Sequence, residues 1–382
     1  YLCPRVMKRR LNIDPETLVP RLPKASDLRP FPTAKCMEYK TPYSEDDGPP
    51  MIRCVSPSPD GQFLVSGATD GYVRLWEVQT GRLLQSWNAS IIAVNVGDGG
   101  DDDNAESAED STKSKPVPVI GIEWNPNPSH HCILVAVGRC VIVIGTGTGN
   151  AETAVLTDAL LEEASKGGNV SSKTASVVTW KPIVTDEAQD ATKPSTTALS
   201  VHGTKRVGPV VALVMTREVA SVQWHRKGDY IVTVTPKAGA AAVLIHQLSK
   251  GHSQQPFRKS KYEARLACFH PNKPFLFVAS PQHVRVYHLI KQSMAKRLIS
   301  GCRYISSMYV HPTGDHVLVG SLDRRVVWFD LDLSSTTPYK TLKYHTRALR
   351  SVQIHRRYPL MASCSDDGLV HVFHSMVYSD LM

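Results

Sequence analysis

No stretch of this 382-residue chain is apolar for long enough to cross a bilayer as a helix. The longest apolar run, Cys132 to Ile144, is broken by Gly138 and Arg139 and falls short of the about 18 residues a span needs. No signal-peptide pattern opens the sequence, so no membrane partner is expected. The eight cysteines contain no CxxC pair, which argues against a zinc ribbon or a thioredoxin-like redox site. Cys54, Cys268 and Cys364 sit inside strand-like patterns, as reduced, buried thiols of a cytosolic or nuclear protein would. Catalytic signatures are missing as well. There is no HExxH, no GxSxG, no Walker loop, and no GxGxxG between a strand and a helix. Residues Gly145 to Gly149 (GTGTG) have phosphate-loop glycines, but no helix opening with GK[ST] follows them, so they read as a plain loop. No cofactor, no metal and no enzymatic activity are expected.

What is present is a repeated β pattern. Residues Ile52 to Val78 read as three short strands, Ile52–Ser56, Phe63–Ala68 and Tyr72–Val78. Turns at Pro59-Asp60-Gly61 and Thr69-Asp70-Gly71 separate them. Apolar, β-branched runs bounded by Pro, Asp and Gly are strand signals. The order turn, SGxxDG, strand, Trp-acid resembles one WD-repeat blade. The turn after each candidate first strand recurs at Pro59, Pro126, Arg226, Pro271, Pro312 and Arg356, at spacings of 67, 100, 45, 41 and 44 residues. Three intervals match the roughly 40–45 residues of a propeller blade, and the two long ones contain insertions. The expected fold is an all-β WD40 β-propeller on a seven-bladed plan, with six blades recognisable.

Residues 1–34 are Pro-punctuated and read as an extended segment on the propeller exterior. Arg5, Lys8, Arg9 and Arg10 form a basic cluster there, of the kind that serves nuclear localisation or RNA contact. The propeller takes residues 35–382, with Lys35–Tyr39 read as a strand that would complete the last blade and close the circle. The first insertion, 97–118, holds seven acids and two lysines and no aromatic residue, too little apolar surface to order itself. With a net charge of +9 for the whole chain, the remainder carries +14. The second insertion, 145–209, contains a helical pattern at Ala154–Lys166 and an outer-strand pattern at Val177–Pro182.

Fifteen histidines invite a metal reading, yet His225, His270, His311 and His355 occupy one blade position in four repeats. That is an architectural role repeated. In typical WD repeats a His, a Ser/Thr, an Asp and the Trp form a hydrogen-bonded tetrad. Blade six offers His345, Ser363 and Asp367 with Phe373 in place of Trp, and blade one offers Ser66, Asp70 and Trp76 without the His. These read as structural staples.

The candidate binding residues are basic. Lys250, Arg258, Lys259, Lys261 and Arg265, interleaved with Phe257 and Tyr262, are followed one blade later by Lys291, Lys296 and Arg297, then by Lys340, Lys343, Arg347 and Arg350. Charges recurring at one blade position form a stripe suited to nucleic-acid phosphate. On blade one, Arg53, Thr69, Tyr72 and Arg74 are expected at the upper rim. Tyr and Arg are enriched in interface hot spots, so this rim is a candidate partner-docking surface, unless Arg74 simply pairs with a neighbouring acid.

The strings YLCPR…NIDPETLVPRLPKASDLRPFPT, the blade-one string, VLIHQLSKGHSQQPFRKS and WFDLDLS…PYKTLKYH…ALRSV…HRRYPLMAS resemble the block-of-proliferation family of WD-repeat proteins. The resemblance implies a nucleolar and nucleoplasmic scaffold in biogenesis of the large (60S) ribosomal subunit and pre-rRNA processing. It implies a pescadillo-type partner, held mainly through an N-terminal region that this sequence lacks. It also implies a second WD-repeat protein carrying a ubiquitin-like domain, precursor ribosomal RNA and pre-60S particles. Family members continue past VYSDLM with a seventh blade, which accounts for six recognisable ones here. The alternative is a peptide- or modification-reading WD40 adaptor such as a ubiquitin-ligase substrate receptor. A propeller hydrolase lacks convergent acids.

Overall fold

The computed structural model describes residues 34–42, 48–97, 116–166, 177–183, 201–202, 210–257, 263–332, 336–356 and 358–375. All of the extended segment 1–34 except Ala34, nearly all of the acidic insertion, and Arg258, Lys259 and Lys261 therefore lie outside the described residues. The chain divides into Tyr1–Cys36 and Met37–Met382. All the elements below belong to the second unit.

Six antiparallel sheets succeed one another. Blade one is β1 (Ile52–Pro57), β2 (Phe63–Ala68), β3 (Tyr72–Glu77) and β4 (Leu83–Asn88), followed by helix α1 (Ala89–Gly97). Blade two is β5 (Val119–Trp124), β6 (Cys132–Val137) and β7 (Cys140–Gly145), with helix α2 (Ala151–Lys166) and strands β8 (Val178–Ile183) and β9 (Val201–His202) in the insertion, and β10 (Val210–Met215) directly after it. Blade three is β11 (Ser221–Trp224), β12 (Tyr230–Val234), β13 (Val243–Gln247) and β14 (His252–Gln254). Blade four is β15 (Leu266–Phe269), β16 (Phe275–Ala279), β17 (His283–His288) and β18 (Ser293–Ile299). Blade five is β19 (Ile305–Val310), β20 (His316–Ser321), β21 (Val326–Asp330) and β22 (Lys340–Leu342), and blade six is β23 (Leu349–Ile354), β24 (Leu360–Ser365) and β25 (Val370–His374). The strands and the six blades fall where the repeat pattern puts them.

The insertion differs from a plain loop. Strand β10, just after it, pairs with β7, and the insertion's β8 pairs outside β10, so blade two has the order β5-β6-β7-β10-β8. Strand β9 crosses instead to the free edge of β4 in blade one. Paired strands blunt two outer edges that would otherwise template association. Helix α1 was not legible, because ASIIAVNVG carries apolar residues all round, although Asn88 Oδ1 caps it by accepting the Ile91 amide at 3.2 Å. It is anchored by Gly71, whose carbonyl accepts the backbone N–H groups of Ala89 and Ser90. Gly71 lies at φ +77°, and a Cβ there would meet Ser90 Cβ at 2.5 Å, so no other residue fits this turn.

Each first strand packs on the next, β1 on β5, β5 on β11, β11 on β15, β15 on β19 and β19 on β23. First strands are therefore innermost. A repeated hydrogen bond joins them at one register. Ser56 Oγ accepts from the Trp124 amide at 2.9 Å, Glu123 Oε2 from the Trp224 amide, and Gln223 Oε1 from the Phe269 amide at 3.1 Å. Nothing in the sequence distinguishes these three acceptors.

On the opposite face of the first strands, Ile122 and Val352 are buried, 8% and 2% exposed, while Val55 at the same register is 58% exposed. Val370 and Leu369 on blade six are exposed too. Blade one and blade six thus each keep an apolar flank uncovered by described residues, which fits the seven-bladed plan. Residues 35–39 form no strand. Tyr39 instead packs edge-on against Trp76, ring centroids 5.7 Å apart, and its hydroxyl donates to the Val78 carbonyl at 3.2 Å. An aromatic cover of this kind needs a side chain, not a ladder.

Candidate functional site

Strand direction gives the molecule two faces. The upper face collects the starts of the first strands and the turns between second and third strands; the lower face collects the other turns. The basic residues proposed to form one stripe are divided between them. Lys250, in the β13–β14 turn, and Lys291, in the β17–β18 turn, are exposed on the lower face of adjacent blades. Arg265 precedes β15 on the upper face, where it pairs with Glu263 at 2.9 Å and lies 5.2 Å from the Tyr304 ring centroid. Lys296 and Arg297 lie along the outer strand β18, and Lys296 Nζ donates to the Leu331 carbonyl at 2.6 Å.

Arg53, Thr69 and Tyr72 do reach the upper end of blade one, and Arg53 is exposed. Thr69 ties the rim together: its Oγ1 accepts from the Met51 amide and its amide donates to the Met51 carbonyl. Arg74 is different. It is 4% exposed, its Nη2 meets Asp70 Oδ2 at 2.5 Å, and its guanidinium lies 5.2 Å from the Tyr72 centroid. Its Nε and Nη1 find no partner among the described residues.

The histidine positions behave as one turn device. The amides of Lys227, Lys273, Thr313 and Tyr358 donate to the Nδ1 atoms of His225, His270, His311 and His355 at 3.3, 2.9, 3.2 and 2.9 Å. Asn125 Oδ1 does the same for Asn127 in blade two. Burial holds the His225, His270 and His311 rings below the usual imidazole range, which keeps Nδ1 an acceptor.

Two polar networks replace the WD tetrad. In blade six His345 Nδ1 meets Asp367 Oδ2 at 2.9 Å and Nε2 meets Ser363 Oγ at 2.8 Å. His371 lies close enough for these three to hold a metal ion, but both His345 nitrogens are engaged, so the group is a staple. In blade three His246 takes the Trp position: Nε2 meets Thr233 Oγ1 and Nδ1 meets Ser253 Oγ, each at 2.8 Å. Trp180, from the blade-two insertion, donates to that same Ser253 at 2.9 Å. Blade six therefore keeps the staple with Phe373 in place of Trp, and blade one keeps Trp76 Nε1 to Ser66 at 2.8 Å. Burial pushes the Cys54, Cys132 and Cys268 thiols up to about 12, leaving them neither nucleophiles nor ready ligands.

Glu123 carries a titration. Burial pushes its carboxyl up to about 8, against the opposing pull of the Trp224 amide and Arg356. In the folded chain it stays protonated to about pH 8, whereas in the unfolded chain it ionises above about 4.5. Across that window the folded state binds more protons, so stability falls as pH rises. Glu123→Gln keeps an acceptor for Trp224, as Gln223 does one blade on. It is expected to raise the melting midpoint at pH 8.5 and leave it unchanged at pH 4. Equal midpoints for both chains across that range would refute the assignment.

The BOP1NT (NUC169) domain profile matches residues 1–32, and the WD domain, G-beta repeat profile matches residues 40–77 and 336–374. Over 382 residues the chain is 41% identical to "Ribosome biogenesis protein bop1-A" of Xenopus laevis, with all of the chain and 45% of that protein aligned. Along its whole length the chain is similar to proteins of the block-of-proliferation family. "Ribosome biogenesis protein BOP1" of Homo sapiens is 40% identical over 382 residues, 44% of its length, and "Ribosome biogenesis protein erb1" of Schizosaccharomyces pombe 41% over 387 residues, 48% of its length. The chain thus spans less than half the length of these block-of-proliferation relatives. The first profile sits on the Pro-rich segment, and the second on blade one and on the stretch from the last strand of blade five through blade six.

Proposed function

We propose that this chain is a non-enzymatic propeller scaffold in ribosome biogenesis, acting in assembly of the large subunit and pre-rRNA processing in the nucleolus and nucleoplasm. The supporting observation is identity of about 40% along the whole chain to proteins named for ribosome biogenesis. In this reading a WD-repeat protein with a ubiquitin-like domain and precursor ribosomal RNA are held on a rigid ring, while a pescadillo-type protein is engaged mainly through the N-terminal region that the family resemblance implies. The ring supplies two faces of different chemistry. The Ser363–His345–Asp367 group, which sets a hydroxyl beside a base, is buried in blade six as a staple.

RNA binding is tested on the lower face. Lys250 and Lys291 are exposed on neighbouring blades, so Lys250→Glu with Lys291→Glu should weaken binding to all sequences alike, because phosphate contacts carry no base information. The slope of log affinity against log salt should flatten by about 1.5 units for two lost contacts to single strands. Unchanged affinity and slope would move the RNA site off this face. Capture of pre-60S particles by the intact chain from nucleolar extract tests the scaffold role itself.

A further inference from the structure

A hollow of about 420 Å³ opens on the upper face of blade five, lined by Gly301, Arg303, Leu322, Asp323, Arg324 and Arg325. Two connections build it. One joins β18 to β19 and carries Arg303; the other is the β20–β21 turn, LDRR, where blade one has TDGY. Three guanidinium groups therefore line one concavity with a single acid. Asp323 is occupied, accepting the Arg303 amide through Oδ2 and so holding the two connections together. No arginine of the three forms an ion pair among the described residues. Arg324 reaches the Thr346 carbonyl only at 3.4 Å and Arg325 the Gly301 carbonyl at 3.5 Å. Arg324 is moreover held at φ +67°, a left-handed conformation that non-glycine residues enter at a cost. Strain of this kind concentrates at ligand sites.

Guanidinium forks match oxyanions in planar, bidentate geometry. We propose that this hollow binds the phosphate of a phosphorylated serine or threonine on a partner protein. A phosphorylated side chain brings nearly two charges and three acceptor oxygens to one point, the number of guanidiniums present. The surroundings favour a peptide over a nucleic-acid strand. Asp366 and Asp367 flank the hollow on blade six and Glu263 on blade four, each acid beside a basic partner or a histidine. A strand with a phosphate at every nucleotide would lay charge against those acids. A peptide with one phosphate among basic or neutral residues satisfies both signs, and half-buried Leu322 gives it an apolar wall. This site goes beyond the scaffold role and does not depend on it.

The test uses the full chain and fluorescein-labelled peptides with one central phosphoserine flanked by lysines, against the same peptides unphosphorylated. The phosphorylated probe is expected to bind at least tenfold more tightly. Its advantage should shrink from about pH 7.5 to about pH 5.5, because the second phosphate proton has a pKa near 6. Arg303→Gln with Arg325→Gln should remove that advantage. Arg324→Gly removes a guanidinium while relieving the left-handed backbone, so reduced affinity with an unchanged or raised melting midpoint separates lost contact from lost fold. Equal binding of both peptides, or full affinity in Arg324→Gly and in the double variant, would overturn the proposal. So would a single-stranded RNA of ten nucleotides that displaces the probe better than unlabelled phosphopeptide does.

Discussion

A His246→Leu chain is expected to lose about 2–4 kcal/mol of stability at neutral pH, read from chemical denaturation. His246 is fully buried, and its two ring nitrogens meet Thr233 and Ser253 at 2.8 Å. Removing the ring leaves the buried Thr233 hydroxyl without the histidine, and a stranded buried polar group costs about 1–3 kcal/mol beyond the lost bond. Ser253 keeps the Trp180 donor. Adding Thr233→Val to His246→Leu should therefore recover part of the loss, since replacing both partners by apolar groups is nearly neutral. The pH dependence is the sharper check. Burial pulls His246 down to about 3, so the folded ring is neutral while the unfolded one protonates below about 6.5. The unfolded state binds more protons in that window, and stability falls as pH drops, by up to about 1.4 kcal/mol per unit from this group. His246→Leu should lack one proton's worth of that slope, while the other histidines held low by burial, His130, His225, His270, His283 and His311, keep theirs. An acid slope identical to the parent chain would show that His246 is charged in the fold.

Arg74→Glu is the second large effect, and its expected outcome is loss of fold rather than loss of partner. Arg74 is buried against Asp70 and Tyr72. Reversing its charge sets two carboxylates together beneath the blade-one rim, and breaking a buried pair typically costs about 3–5 kcal/mol. The variant should melt well below the parent chain. A midpoint within experimental error of the parent would show that the Arg74–Asp70 contact contributes nothing. The docking hypothesis for this rim is accordingly tested at Arg53, which is exposed. Arg53→Glu should leave the melt unchanged and weaken a partner propeller by about 2 kcal/mol if the rim is an interface hot spot. Intact binding with a normal melt would place docking elsewhere on the ring.

The amino-acid sequence alone determined the six blades, their strands and the turns between them. That information is local: strand patterning and Pro, Asp and Gly turns recur at a fixed period, and each blade is specified by residues close in sequence. The repeated histidine turn was legible for the same reason, since His270 acts on the amides two and three residues ahead. What crosses between blades was not legible. The Ser56–Glu123–Gln223 series shares a register but no residue type, because any acceptor facing the next strand serves. Trp180 finds Ser253 across 73 residues, and β9 finds β4 across more than 100. No periodicity encodes such pairings, which depend on how neighbouring blades stack. The charged sites divide in the same way. Sequence spacing registers Lys250, Arg265 and Lys291 as one cluster, but successive turns of an antiparallel sheet alternate between its two ends, so the first and third share a face and the second does not. Arg303, Arg324 and Arg325 converge for the converse reason. They come from two separate connections that tertiary packing brings to the same end of one blade.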